Sequence, residues 1–149
     1  MPPRPALCPC GGVTPTSDQP ASKQRFSAPL FTQCCGRFLD NGATAANALE
    51  LMRSRYSAYV LGDAAYLRAS WAEQTCPAML DVDPKAPDAP RWLGLQIKRF
   101  VEQDATHAEV EFIARYKLHG RAYRLHEVSR FVRNDDGAWR YLEGDVTQA

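Results

Sequence analysis

Apolar residues occupy every second position from Ala108 to Leu118, and this pattern constrains the fold more than any other in the sequence. A period of two is typical of a β-strand with one buried face. His119-Gly120 follows directly and suits a two-residue hairpin turn, which would pair Leu118 with Arg121. The register then follows for the whole hairpin, because a slip of one residue would turn every side chain to the other face.

Continued along the hairpin, this register pairs residues of chemical interest. Phe112 would face Glu127 and Val110 would face Ser129, all on the apolar face. On the opposite face, a favourable charge pair is expected between Glu109 and Arg130.

Three further segments predict strands beside this one. Arg121 to Arg133 is rich in β-forming residues, Trp92 to Val101 alternates more weakly, and Trp139 to Glu143 is short. Asp135-Asp136-Gly137 suits a three-residue loop, which would pair Phe131 with Tyr141 and Arg133 with Trp139.

The segment before the strands predicts helices. Apolar residues recur three and four apart from Ala45 to Leu61, which indicates an amphipathic helix with Thr44 as its cap and Gly62 just past its end. Asp63 would cap a second helix that runs through about Gln74. Helices followed by an antiparallel meander predict an α+β fold, with the helices packed on one face of a curved sheet.

Two cysteine pairs near the amino terminus, Cys8-Pro9-Cys10-Gly11 and Cys34-Cys35-Gly36, suggest a metal site. Four thiolates satisfy tetrahedral Zn²⁺ at about 2.3 Å each, and a small head with almost no core would need such a staple. The alternative is four ordinary thiols in a flexible leader. Cys76 lies outside this grouping and is expected to be a single thiol.

The overall charge excludes a strongly basic binder. Lys and Arg number 18 against 17 for Asp and Glu, so nothing indicates a nucleic-acid partner.

No apolar run is long enough for a signal peptide or a membrane span, and we therefore expect a cytoplasmic protein. In a reducing cytoplasm, cysteines are better candidates for metal ligands than for structural disulfides. No phosphate loop, catalytic triad order or dinucleotide fingerprint is present.

Several motifs together resemble the YchJ family of bacterial proteins. They are CPCG, the later Phe31-Thr-Gln-Cys34-Cys35-Gly36, LMRSRYSAYVLGDAAYL from Leu51, WLGL from Trp92, and EVSRF from Glu127 followed by G-x-W-x-Y-x-x-G up to Gly144. The resemblance implies an amino-terminal SEC-C-type zinc motif, named for the carboxyl-terminal segment of the SecA ATPase. It also implies a following domain of the nuclear-transport-factor-2-like (NTF2-like) or cystatin-like fold, a curved sheet wrapped round helices.

Together, these observations predict a zinc-binding head with a flexible insert over residues 1–40 and a roll over residues 41–149. The metal ligands would be Cys8, Cys10, Cys34 and Cys35. Rolls of this class often enclose a pocket between the helices and the concave sheet. We expect a pocket lined by aromatic and polar residues, namely Tyr59, Trp71, Phe112, Tyr116, Ser129, Phe131 and Tyr141.

Glu127 is the main catalytic candidate, and Arg53 and Tyr56 are two further candidates. A carboxylate buried among aromatic rings would have a raised pKa, as a general acid or base needs. The alternative is a structural glutamate paired with Arg53, Arg55 or Arg130, and ionic locks of this kind are more common than catalytic bases.

Two functions remain open. The first is a zinc-stabilised, non-enzymatic binding or adaptor protein, whose head docks on a partner protein and whose roll is a scaffold or holds a small ligand. The second is a small-molecule enzyme or carrier of the hydratase or isomerase type. A filled roll with an exposed apolar patch near the head would favour the adaptor, whereas an open pocket with Glu127 free of arginine would favour the enzyme or carrier. A homodimer through Ile113, Val128 and Val132 on the outer sheet face is also expected.

Overall fold

The structure is a computed structural model, and it describes residues 4–12 and 28–148. The insert predicted between the two cysteine pairs lies mostly outside the described residues. The described helices are a short 3₁₀ turn at Phe31–Gln33, α1 at Gly36–Leu39, α2 at Ala48–Leu61 and α3 at Ala64–Ala69. The strands are β1 at Arg91–Glu102, β2 at His107–Leu118, β3 at Arg121–Arg133 and β4 at Trp139–Gln148.

The four strands form one antiparallel meander in the order β1-β2-β3-β4. The predicted hairpin register is confirmed, since Leu118 pairs with Arg121 and Phe112 pairs with Glu127. His119 and Gly120 both have positive φ, at 52° and 78°, as a two-residue turn with matching twist requires.

The β3–β4 hairpin begins in the predicted register but does not keep it. Phe131 pairs with Tyr141 as predicted, whereas Arg130 pairs with Glu143, so Leu142 is an extra residue in a β-bulge. After the bulge, Ser129 pairs with Gly144, and β4 continues to Gln148, past the predicted end at Glu143.

The helices differ from the prediction at two ends. Helix α2 begins at Ala48 because Asn47, and not Thr44, is the cap, and the Asn47 side chain accepts a hydrogen bond from the Glu50 amide at 2.9 Å. Gly62 ends α2 in the left-handed conformation, with φ of 75°, as predicted.

Helix α3 is capped by Asp63 as predicted, but its predicted end at Gln74 is wrong, since it stops at Ala69. The chain after α3 pairs with β4 instead of staying helical. The Tyr141 amide donates to the Ser70 carbonyl at 2.9 Å, and the Ala72 amide donates to the Tyr141 carbonyl at 2.7 Å.

Helix α2 lies at the centre of the molecule. Leu51, Met52 and Tyr56 pack in one hydrophobic core with the cysteines of the head and with inward-facing residues of β2 and β3 such as Val110 and Phe131. The fold is therefore α+β, and the head and the sheet cover different sides of the same helix. In the described part of the chain, no helix is both long enough and apolar enough to cross a lipid bilayer.

Candidate functional site

A short antiparallel contact brings the two cysteine pairs together. Leu7 and Leu30 form an isolated β-bridge, in which the Cys8 amide donates to the Pro29 carbonyl at 2.8 Å. Gly36 allows the chain to turn tightly here, because a Cβ at this position would lie 2.7 Å from the Phe31 carbonyl oxygen.

The four sulfur atoms of Cys8, Cys10, Cys34 and Cys35 all lie within 4.8 Å of one another. The Sγ atoms of Cys8 and Cys10 are 3.5 Å apart, those of Cys10 and Cys34 are 3.5 Å apart, and those of Cys34 and Cys35 are 4.0 Å apart. Four thiolates around a tetrahedral ion, each at about 2.3 Å, would have sulfurs about 3.8 Å apart. The arrangement therefore fits a metal ion without rearrangement, and all four residues are buried.

Contacts within the cluster favour loss of thiol protons from one pair. Hydrogen bonds from Cys34 and then from Cys35 lower the pKa of Cys10 to about 7, and the hydrogen bond from Cys10 lowers the pKa of Cys8. The pKa values of Cys34 and Cys35 are raised, chiefly by their hydrogen bonds to Cys10. The thiolate is the form that binds metal, so these contacts favour the metal-binding form of Cys8 and Cys10.

Arginine side chains hold the backbone of the cluster. Arg53 on α2 donates from Nη1 to the Cys10 carbonyl at 3.1 Å, and Arg37 donates from Nε to the Cys34 carbonyl at 2.8 Å. The Gly12 amide points at the Cys10 sulfur at 3.3 Å. Arg53, a catalytic candidate in the sequence, therefore contacts the head and does not line the cavity of the roll.

A cavity of about 280 Å³ lies between α2 and the concave face of the sheet. Its wall combines six aromatic residues, three aliphatic residues and three polar residues. They are Tyr56, Tyr59, Trp92, Phe112, Phe131 and Tyr141; Met52, Ala114 and Leu125; and Arg55, Glu127 and Ser129.

Glu127 is half-buried and carries the negative charge of this wall. Its Oε2 accepts hydrogen bonds from the Ser129 hydroxyl and from the Tyr141 hydroxyl, the latter at 3.1 Å. Among the described residues, no arginine or lysine nitrogen lies within 4.0 Å of this carboxylate. The ionic lock proposed with Arg130 is absent, because Arg130 pairs with Glu143 and Asp145 on the outer face.

Gly144 provides the space for the Glu127 side chain. A Cβ on Gly144 would lie 2.4 Å from Glu127 Oε2 and 2.8 Å from its Cδ. The bulge in β4 brings Gly144 opposite Ser129, next to the glutamate. The final glycine of the G-x-W-x-Y-x-x-G motif thus positions the carboxylate, a role that the sequence pattern did not reveal.

Arg55 is the cation of the cavity wall, and its contacts hold it against α3. Its Nη1 donates to the Leu67 carbonyl at 2.9 Å and to the Ser70 hydroxyl at 2.7 Å. Its guanidinium lies 4.6 Å from the ring centroids of both Trp71 and Tyr141. Burial lowers the pKa of Arg55. Arg53 and Arg55 are both buried, on different sides of α2.

The remaining aromatic candidates lie in the cavity wall or directly behind it. Tyr56 and Tyr59 lean on Trp92, with ring centroids 5.9 and 6.3 Å apart and planes tilted by 73° and 52°. Burial raises the pKa of Tyr56 to about 12. Trp71 and Tyr116 do not line the cavity, since they pack behind Tyr141 and Trp92 respectively.

A second depression of about 420 Å³ adjoins the first, and Tyr59 and Trp92 line both. The loop over residues 81–90 forms most of it and contributes three carboxylates, those of Asp81, Asp83 and Asp88. Pro84 anchors this loop on the end of α2, where a Cβ at Gly62 would lie 2.5 Å from the proline ring. We refer to this depression as the acidic vestibule.

The family described as YchJ, middle NTF2-like domain, matches residues 47–144. This chain belongs to the YchJ family. The chain is also similar to UPF0225 proteins, among them one from Ralstonia nicotianae, 49% identical over 95% of this chain and 92% of the relative, and one from Polaromonas naphthalenivorans, 50% identical over 93% of this chain and 96% of the relative.

Two solved structures also resemble this YchJ protein. The solution structure of a SEC-C motif containing protein from Rhodopseudomonas palustris is 31% identical, with a TM-score of 0.69, and the match covers 80% of this chain and 93% of that one. The crystal structure of a SEC-C motif containing protein from Psychrobacter arcticus is 28% identical, with a TM-score of 0.67, over 95% and 82% of the two chains. The predicted family and the NTF2-like α+β fold are thereby confirmed.

Proposed function

We propose that this YchJ protein is a zinc-stabilised binding protein, whose cysteine head is structural and whose roll holds a small molecule. The observation that carries the proposal is the carboxylate of Glu127 in an aromatic cavity, where its described hydrogen-bond donors are the hydroxyls of Ser129 and Tyr141. Arg55 lies in the same wall but forms no ion pair with Glu127 within 4.0 Å, and a carboxylate without an ion-pair partner in a mostly apolar cavity is a means of recognising a ligand.

The chemistry of the head favours zinc and a structural role. Four thiolates at tetrahedral spacing are a typical ligand set for Zn²⁺. All four ligand positions would be filled by buried cysteines, which leaves none for a water or a substrate. The ion would hold the segments around Cys8 and Cys34 against α2 and would supply folding free energy there.

The shape of the roll favours a ligand over a purely structural scaffold. The cavity is close to the lower end of the volumes that small-molecule sites have, and its wall is mostly apolar with a few polar groups. By the criterion derived from the sequence, an open pocket with Glu127 free of arginine favours the carrier or enzyme over an adaptor.

Two measurements test this proposal. Elemental analysis and native mass spectrometry of untagged protein should find one zinc per chain, and a Cys34→Ser/Cys35→Ser variant should lose it. The neutral fluorescent probe N-phenyl-1-naphthylamine should bind saturably, and Ala114→Phe, which fills the cavity, should abolish binding while the zinc content is kept. Equal binding by the wild type and by folded Ala114→Phe would rule out the cavity as the site.

A second candidate function, general-base catalysis, is favoured by the position of Glu127 beside Tyr141. Both described hydrogen bonds reach Oε2, so Oε1 can approach a proton of a bound molecule. An enzyme of this type would exchange an acidic C–H proton of its substrate with solvent. Incubation of carbonyl compounds in D₂O with wild type and Glu127→Gln, followed by mass spectrometry, would detect the exchange.

A partner protein, a homodimer and a cytoplasmic location remain predictions. Near the head, the exposed large apolar side chains among the described residues are Leu7 and Leu30, the surface on which an adaptor would depend. On the outer sheet face, Ile113, Val128 and Val132 are half-buried. Gel filtration of concentrated protein would test the dimer.

A further inference from the structure

We infer that the ligand of the cavity is a small organic cation, an ammonium group carried on an apolar body, held by Glu127 and by the surrounding aromatic rings. The inference rests on the proposed ligand-binding function and specifies its ligand class.

The carboxylate of Glu127 is the negative group of the cavity wall. Ser129 and Tyr141 donate neutral hydrogen bonds to Glu127 Oε2, so they stabilise the negative charge without cancelling it. Gly144 leaves the space that this carboxylate occupies. The carboxylate is therefore held at the cavity wall by neutral donors and without an ion-pair partner, as a cation site requires.

Arg55 is the positive group in the same wall. One of its nitrogens is committed to the Leu67 carbonyl and the Ser70 hydroxyl, and its guanidinium lies over Trp71 and Tyr141. It forms no ion pair within 4.0 Å with any described carboxylate. Arg55 is thus stabilised by main-chain oxygen and aromatic rings, and Glu127 is left for a ligand.

Aromatic rings form much of the cavity wall. The rings of Tyr56 and Tyr59 are each tilted against Trp92, and Phe112 and Phe131 lie in the same wall as Glu127. The negative faces of aromatic rings attract cations, and cages of such rings bind alkylated ammonium groups. Rings together with a carboxylate suit such a cation better than they suit an anion.

The acidic vestibule is the route by which the ligand would enter the cavity. Tyr59 and Trp92 line both the cavity and the acidic vestibule, where Asp81, Asp83 and Asp88 are found. In the two linings together, four carboxylates stand against the one cation of Arg55, and this excess is reduced but not removed by Lys85 in the same loop and by His119, whose Nε2 lies 3.2 Å from Asp88. The field at the entrance therefore attracts cations and repels anions.

The test compares three probes of similar size that differ in charge: phenyltrimethylammonium, its neutral isostere tert-butylbenzene, and benzoate. Binding to the zinc-loaded full chain is followed by ¹H–¹⁵N chemical shifts of cavity residues. Phenyltrimethylammonium should bind about tenfold tighter than tert-butylbenzene, and benzoate should bind weakest. Raising the salt concentration from about 20 to about 500 mM should weaken the binding of phenyltrimethylammonium and should not weaken the binding of the other two probes.

Glu127→Gln keeps the shape of the side chain and should reduce the preference for the cation over tert-butylbenzene to nearly one. Glu102→Gln is the matched control, because it removes the same charge from an exposed position on β1 and should leave the preference unchanged. If Glu127→Gln does not fold, the three-probe comparison on the wild type still decides the ligand class.

The remaining outcomes contradict the inference in different ways. Equal affinity for phenyltrimethylammonium and tert-butylbenzene would overturn the ligand class while leaving a binding cavity intact. Tighter binding of benzoate would identify Arg55 as the dominant charge and would overturn it as well. Failure of all three probes, together with failure of the neutral fluorescent probe, would instead remove the proposed function itself.

Discussion

At the level of single residues, Gly144 leaves the space that the Glu127 side chain occupies, and a substitution can test this role. Substitution by Ala places a Cβ 2.4 Å from Glu127 Oε2, so the carboxylate must swing away from Ser129 and Tyr141. We expect Gly144→Ala to lower the free energy of unfolding by about 1–2 kcal/mol through the lost hydrogen bonds. Urea denaturation measures this change.

The control for this variant is Gly94→Ala on β1, where a Cβ meets no atom within 4 Å and stability should not fall. A double-mutant cycle with Glu127→Ala supplies the coupling between the two positions. If Gly144→Ala costs the same with and without the glutamate, the steric explanation is wrong.

Arg53 is expected to support the metal centre although it does not touch sulfur. It is buried, donates to the Cys10 carbonyl and adds positive charge beside four cysteines. Because groups behind a metal's ligands typically change affinity 10- to 100-fold, we expect Arg53→Met to weaken zinc binding by about tenfold or more. Competition with a chromophoric chelator measures the affinity, and Arg99→Met, on the exposed side of β1, should leave it unchanged.

Sequence reasoning located some of these side chains and missed others for a physical reason. Glu127 and Ser129 were assigned to the inner face because an alternating strand fixes the direction of every side chain. The contacts of Arg55 and Arg53 could not be predicted, because they depend on how the head and α3 pack around α2.

At the scale of elements, the start of α2 offers a test of the corrected cap. Asn47 accepts from the Glu50 amide, whereas Thr44 lies outside the helix and is exposed. Asn47→Ala should lower the free energy of unfolding by about 1 kcal/mol, and Thr44→Ala should change it by less than about 0.5 kcal/mol. Equal effects in thermal or urea unfolding would contradict the assigned helix start.

The β-bulge in β4 explains why the position of Gly144 beside Glu127 could not be predicted from the sequence. Loop length predicted the pairing of Phe131 with Tyr141, but an inserted residue such as Leu142 leaves no mark in a short alternating run. The bulge occurs where Ser70 and Ala72 hydrogen-bond to both sides of Tyr141, a contact between distant parts of the chain. That contact aims the Tyr141 hydroxyl at Glu127.

At the scale of the whole molecule, the head and the roll share one core. Cys10 and Phe31 pack in the same cluster as Met52 and Tyr56, which also line the cavity. The predicted division at residue 40 remains a prediction.

Metal removal should therefore loosen the head first. We expect a chelator to lower the midpoint of thermal unfolding by about 10 °C or more and to speed amide exchange at residues 31–39 and in the first turns of α2. Exchange in β2 and β3 should change least, because these central strands are paired on both sides. Hydrogen-exchange mass spectrometry resolves the three regions, and uniform acceleration would contradict a separate role for the head.

The shared helix also predicts that the metal and the ligand are coupled. Arg53 and Ser57 of α2 contact the head, while Met52, Arg55 and Tyr56 of the same helix line the cavity. Loss of the metal should shift this helix and weaken binding of N-phenyl-1-naphthylamine by about fivefold or more, a coupling of ordinary size for two sites that share one element.

By the same linkage, the bound probe should raise the affinity for zinc by an equal factor, which gives an independent measurement of one quantity. Chelator-treated wild type and the Cys34→Ser/Cys35→Ser variant should agree, so that an effect of the chelator itself is excluded. If probe affinity stays constant while amides of the head exchange freely, α2 does not connect the two sites. The zinc head would then support folding alone, and ligand binding would belong entirely to the sheet and the aromatic wall.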